Sequence, residues 1–244
     1  MVLNTPISML SWTPAWRLVA SRFPPLGLFD RVARAADLES VFAIESLSNA
    51  RLRQEAGELA LVPPEERVSG PGTTPIMAAF THLNAQGSRF TNGSYGVYYA
   101  ARSIDTAIVE TAFHRARFLA ATAEAPMEID MRSYASDIAG EFHDIRGAAR
   151  RHAALYAPDP AAYGAAQDFA RGLREQGSNG IAYDSVRDVG GECVAVFKPR
   201  VIAPVVQGPH YCYVWNGKLI ADIYIKSAYR RCEATGACPV DVSA

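Results

Sequence analysis

The spacing of apolar and polar residues divides this chain into segments of two different periods. Residues 16–20 (WRLVA) alternate as a strand does, until Pro24-Pro25 and Gly27 break the pattern. From Asp37 the period lengthens, and Leu38, Val41, Phe42, Glu45 and Leu47 predict a helix ending near Asn49. Pro63, Pro64, Gly70 and Pro71 mark residues 57–72 as loop, with one short strand at 59–62. Thr74-Pro75 opens an apolar helix through Phe80, because proline is tolerated at the first helical position.

The stretch from Gly87 to Arg117, GSRFTNGSYGVYYAARSIDTAIVETAFHRAR, is the most strongly organised. Gly87, Gly93 and Gly96 punctuate its first half, and Asn92-Gly93 is a turn signal. Residues 96–101 have the β-branched and aromatic content of a strand. Ser103 is placed to cap a helix carrying Ile104, Ala107, Ile108 and Ala112. Such a layout gathers Arg89, the tyrosines and Glu110 at one cleft. Downstream, residues 127–131 alternate as a strand, while 134–158 show no clean period. Asp159-Pro160 starts a helix with Tyr163, Ala166, Phe169, Ala170 and Leu173 inward, stopped at Gly177. Residues 180–186, 192–197 and 201–206 predict strands, and 211–225 predict a hairpin closed by a tight primed turn at Asn216-Gly217. The expected organisation is one α+β domain over 1–244: a mainly helical N-terminal part (1–85), a core (86–226) and a tail (227–244).

A chain of 244 residues can bury a substantial core. Its net charge of −1, with no basic stripe interleaved with aromatics, argues against nucleic-acid binding. No apolar run reaches bilayer length, and the opening residues MVLNTPISMLSW lack a basic segment and a cleavage site. Cys193, Cys212, Cys232 and Cys238 form no Cys-x-x-Cys pair and no zinc-like cluster. They read as scattered thiols of a reducing cytoplasm, with a Cys232–Cys238 bridge as the alternative.

Candidate chemistry follows from the charged and hydroxyl side chains of these segments. A guanidinium at Arg89, just before the Asn92-Gly93 turn, suits a two-pronged grip on phosphate or carboxylate. A surface or ion-paired arginine satisfies the same residues. Tyr98 and Tyr99 face opposite sides of their strand, one toward a core and the other available to stack on a ring. Glu110 lies among Ile108, Val109, Ala112 and Phe113, where a carboxylate needs a partner or a task. His114 shares its helix face; a satisfied histidine is the default, since no further metal ligands lie nearby. Ser185 lacks the Gly-x-Ser-x-Gly elbow of a hydrolase, so it orients a ligand or bonds backbone. No P-loop or dinucleotide fingerprint is present.

Arg89 in SRF, Tyr99 in GVYYAA, Glu110 eleven positions later and Ser185 in GIAYDSVRDVGGECVAVF together resemble the RES-domain family. The likeness runs from about Trp16 to Lys226. It resembles the longer subgroup most, through SRFPPLGLFDRVA, SNARLRQEAGEL, IMAAFTHLNAQGSRF and SVRDVGGEC. Asp188 stands where that pattern has histidine, and Ala50 where it often has proline. The resemblance implies a fold like the ADP-ribosyltransferases, with a split antiparallel sheet and a helical N-terminal extension. It implies a toxin paired with an Xre-like helix-turn-helix antitoxin, as a homodimer or toxin–antitoxin assembly, that consumes NAD+ as substrate with no further cofactor. The implied reaction is phosphorolysis, hydrolysis or ADP-ribosyl transfer to protein; the contrasting reading is a non-catalytic binding module. On that reading Arg89, Tyr99 and Glu110 are catalytic. Ser185, Arg51, Arg53, Asn92, His114 and Arg187 line the substrate site. Loss of either Glu110 or Arg89 is expected to abolish turnover in a protein that stays folded.

Overall fold

The computed structural model describes residues 5–21 and 58–227. The helix expected from Asp37, the residues Arg51, Arg53, Cys232 and Cys238, and the tail beyond 227 lie outside them. Among the described residues seven strands form the sheet: β1 (Ile7–Ala20), β2 (Tyr98–Ala101), β3 (Met127–Asp144), β4 (Gly180–Asp184), β5 (Glu192–Val196), β6 (Val206–Trp215) and β7 (Ile220–Lys226). Helices α1 (Thr74–Thr81), α2 (Ile104–Ala121) and α3 (Gly164–Glu175) pack on them. The architecture is mixed α/β, with strand order β1-β2-β5-β4-β3-β6-β7 and an additional β1–β3 pairing.

β1 and β3 run antiparallel from Ile7↔His143 to Ala20↔Met131, with a register shift where Pro14 interrupts β1. β6 and β7 extend this layer beyond β3. The short strands β2, β5 and β4 form a second group. It meets the first at Trp16↔Ala101 on one side and through the parallel pairs His143↔Ile181 and Asp144↔Ala182 on the other.

Both faces of the short strands are buried. Tyr98 and Ala100 join Ile76, Met77 and Phe80 of α1, whereas Tyr99 and Ala101 face the cluster of Phe90, Tyr183 and Leu173. In β5, Val194 and Val196 point to the first cluster, and Cys193 and Ala195 to the second.

Several local expectations are corrected. Residues 7–15, expected within a mainly helical part, belong to a strand of fourteen residues. Residues 59–62 hold a 3-10 turn (Leu59–Leu61) rather than a strand. Residues 201–205 are no strand either, because Pro199 and Pro204 leave only an isolated Ile138↔Ile202 bridge, and β6 begins at Val206. The β6–β7 hairpin closes through residues 216–219 and not a two-residue turn, since the Asn216 side chain accepts from the amides of Lys218 and Leu219.

Candidate active site

Helix α2 begins with Ser103, whose hydroxyl accepts from the Thr106 amide at 3.1 Å and fixes the helix start. Residues 106, 110, 113 and 117 then share one stripe. That stripe meets the loop after β4 residue by residue. Thr106 Oγ1 donates to Asp188 Oδ2 at 2.6 Å, and Ser185 Oγ donates to Glu110 Oε1 at 2.6 Å. The Arg187 guanidinium lies 3.5 Å from the centre of the Phe113 ring. Arg117 pairs with Asp159 at 3.3 Å. The Ser185 hydroxyl also accepts from the amides of Arg187 (3.1 Å) and Asp188 (2.9 Å), so its rotamer is set before any ligand arrives. Any side chain at Gly191 would fall 2.6 Å from Thr106 Oγ1 and 2.7 Å from Asp188 Oδ2, within the clasp itself.

Arg89 comes from a tight turn in which Ser88 and Thr91 pair and Gly87 takes a φ of +70°. The Tyr99 hydroxyl accepts from the Phe90 amide at 3.0 Å and bonds Ser88 Oγ at 2.8 Å, so it holds the turn on both sides of Arg89. Burial drives the Tyr99 phenol pKa well up, which keeps it protonated. Phe90 packs edge-on against Tyr183, with centroids 5.0 Å apart.

Arg89 is buried. Its Nη1 donates to Leu155 O (2.9 Å) and Ala157 O (3.0 Å), and Nη2 to the Tyr163 hydroxyl (3.3 Å). The open fork expected of it is therefore half committed, and its remaining donors lie on the Nε–Nη2 edge. Arg187 Nη2 donates to Pro158 O. Three arginines from three different segments thus grip residues 155–159, a strap along one wall of the site. The charges of Arg89 and Glu110 both bear on Tyr183 and Cys193.

His114 stands exposed at the rim. Crowding by its neighbours, then the charges of Arg187, Arg89, Arg117 and Arg115, push its imidazole down to about 4. It is neutral at pH 7. Asn92 is spent on its own turn, accepting from the Ser94 amide and hydroxyl. Asp188, set against the histidine of the family pattern, clasps Thr106 at the start of α2, where negative charge is favoured.

Sequence reasoning missed Thr106, Phe113, Tyr163 and the strap. Thr106 three residues after a capping serine was the one available signal.

The mixed α/β domain thus carries a carboxylate fixed by a serine and an arginine turn pinned by a tyrosine. The RES domain profile matches residues 64–216, and the chain belongs to the RES-domain family. It is similar to the uncharacterized protein y4oC of Sinorhizobium fredii (strain NBRC 101917 / NGR234). The two are 30% identical over 209 residues, covering 86% of each chain. Among solved structures it is similar to the crystal structure of the M.tuberculosis MbcT-MbcA toxin-antitoxin complex. That likeness has 12% identity and a TM-score of 0.38, over 86% of this chain and 87% of the other.

Proposed function

We propose that this protein cleaves the bond between nicotinamide and ribose in NAD+, acting as the toxin of a toxin–antitoxin pair. The observation that carries the reading is the Ser185–Glu110 bond of 2.6 Å. It fixes one carboxylate oxygen and leaves the other without a protein donor among the described residues.

The chemistry explains why that matters. As the C–N bond breaks, its electron pair leaves with nicotinamide as a neutral molecule, and positive charge builds on the ribose. A carboxylate already held in place stabilises that charge without reorganising. Phosphate or water then forms the new C–O bond, and solvent takes the water proton. Arg89 contributes its charge and its Nε–Nη2 edge to the dinucleotide phosphates, Arg187 its charge from the far side of Phe113. Tyr99 offers a ring face to nicotinamide while its hydroxyl keeps the Arg89 turn in register. The partner in this reading is an Xre-like helix-turn-helix antitoxin.

Purified protein is mixed with NAD+ in phosphate and, separately, in phosphate-free buffer, and the products are separated by chromatography. Nicotinamide release by the wild-type chain, lost in Glu110→Gln, is the expected result; ADP-ribose-1″-phosphate in the first buffer identifies phosphorolysis. No nicotinamide in either buffer, or equal release by the variant, counts against Glu110 as the catalytic carboxylate.

A further inference from the structure

We propose that Thr106 and Asp188 are positioning residues for the Glu110 carboxylate, acting through the loop that carries Ser185; this rests on the reading that Glu110 steadies the ribose cation. The Ser185 bond by itself fixes a distance to Glu110 but leaves the angle between helix and loop free. A second bond, one helical turn away, removes that freedom.

The loop is closed on itself. The Ser185 amide donates to Gly191 O at 2.8 Å, and the Gly191 amide donates to Asp188 O at 3.0 Å. Ser185 Oγ accepts from the Asp188 amide at 2.9 Å, so only that hydroxyl oxygen separates the Asp188 backbone from Glu110 Oε1. Residues 185 and 188 therefore move together. They meet α2 at residues 110 and 106, which lie one turn apart on the same stripe. Two bonds of 2.6 Å, Ser185 to Glu110 and Thr106 to Asp188, thus fasten a closed loop to a helix at two points.

The protons at the second point run in one direction. The Asp188 carboxylate only accepts, so the single hydroxyl proton of Thr106 goes to it. In the 2.8 Å contact between Ser103 Oγ and Thr106 Oγ1 the serine is then the donor. Ser103, Thr106 and Asp188 form a chain from the helix cap to the loop, and its negative end lies at the start of α2, where the helix favours it. Thr106 is 1% exposed, so water has little access to replace the bond it makes. Neither element needs that bond to form. Ser103 caps α2 through the Thr106 amide, and the β4–β5 ladder is complete from Gly180↔Val196 to Asp184↔Glu192. What the bond sets is where the loop stands against the helix, and hence where Ser185 holds Glu110.

The test measures nicotinamide release by Thr106→Val, which keeps the shape and removes the donor, and by Thr106→Ser, which keeps the donor. Thr106→Val should lower kcat about tenfold or more with KM within about twofold of wild type, since a misplacement of about 1 Å can cost about 100-fold. Thr106→Ser should regain most of the loss. Asp188→Ala should slow turnover to a similar degree. The pair Thr106→Val with Asp188→Ala should be no slower than the slower single variant, because both break one bond. Hydrogen exchange gives a readout independent of turnover: the amides of residues 185–191 should exchange faster in Thr106→Val and at the wild-type rate in Thr106→Ser. Unchanged far-UV circular dichroism separates this from unfolding; should Thr106→Val lose its fold, Asp188→Ala carries the same test from the half-buried side of the bond. A kcat equal to wild type, a loss confined to KM, or a serine variant as slow as the valine one overturns the proposal. A wild-type chain that releases no nicotinamide is a failure of the NAD+ reading instead. Exchange then decides alone, and rates unchanged in Thr106→Val overturn the positioning role.

Discussion

At Arg89 one side chain carries two burdens. It is 8% exposed, and it satisfies the carbonyls of Leu155 and Ala157 and the hydroxyl of Tyr163. Arg89→Ala leaves those acceptors buried without a donor, at a cost of about 2–3 kcal/mol. The expectation of a folded, inactive variant at this position therefore changes: calorimetry should show Arg89→Ala melting well below wild type. Ser185→Ala, by contrast, should lower kcat more than KM, since it frees the carboxylate that the transition state needs and leaves dinucleotide contacts in place. An unchanged kcat for Ser185→Ala would contradict the positioning role. His114 gives a pH signature. Its folded value of about 4 lies below the ordinary 6.5, so the unfolded chain takes up the proton first as pH falls. Its neutral form supports stability above that window, and the support is lost as pH drops from about 6.5 to about 4. Across that interval the melting temperature of His114→Gln should fall less steeply than that of wild type; parallel curves would show that His114 does not titrate so low.

At the scale of elements, the loop that carries Ser185 is anchored where β4 and β5 begin to part. Arg146 bonds both Asp144 and Glu192, Arg102 bonds Glu192 at 2.7 Å, and Asp184 Oδ2 accepts from the Gly147 amide at 2.7 Å. Burial alone would raise the Asp144 carboxyl, but the hydrogen bonds and charge of Arg146 more than reverse this and hold it low. Arg146→Leu strands the Asp144 carboxylate and leaves Glu192 to Arg102 alone, and should cost about 2–3 kcal/mol in urea denaturation at neutral pH. The support from Asp144 is present above the ordinary carboxylate range and lost as acid protonates it, so the gap between variant and wild type should close toward low pH. A gap that persists in acid would point to packing instead. This anchor was invisible in the sequence. β3 continues to Asp144 and alternates from Ser136 to Phe142, buried at Ser136, Ile138 and Phe142 and exposed at Asp137, Ala139 and Glu141. Small residues such as Ser136, Ala139 and Gly140 blur the apolar–polar contrast that would mark it as a strand. Arg146 therefore stood in a stretch without period. The legible parts were those with local punctuation: Ser103 capping α2, Gly177 after α3, and the Glu110 stripe that follows once α2 is a helix. Which segments meet that stripe is a long-range fact, set by Ser185 being 75 residues away, and no local rule reports it.

At the scale of the molecule, the site lies where two groups of strands are joined. The β2-β5-β4 group meets β1 and β3 through single or paired residues at its two margins. α2 spans the groups: Thr111 holds β6 through Tyr213, while Thr106 and Glu110 hold the β4–β5 loop through Asp188 and Ser185. A dinucleotide touching Tyr99 of β2, Ser185 after β4 and Arg89 would add contacts across the same join, and would bind only the folded chain. On the proposed reading, Glu110→Gln keeps an acceptor for Ser185 but removes the charge that would steady the ribose cation, so it should hold NAD+ without consuming it. At a concentration of about 100 times Kd, such binding adds about 2.7 kcal/mol of stability. For a chain of this size that corresponds to a rise of roughly 5–10 °C in Tm. Differential scanning fluorimetry of Glu110→Gln with NAD+, against nicotinamide alone and ADP-ribose alone, measures it. ADP-ribose should reproduce most of the rise if the phosphates and riboses are the chief contacts, and nicotinamide little of it. A variant whose Tm is indifferent to NAD+ at every concentration would mean that the cluster around Glu110 is not a dinucleotide site, whatever reaction the wild-type chain performs.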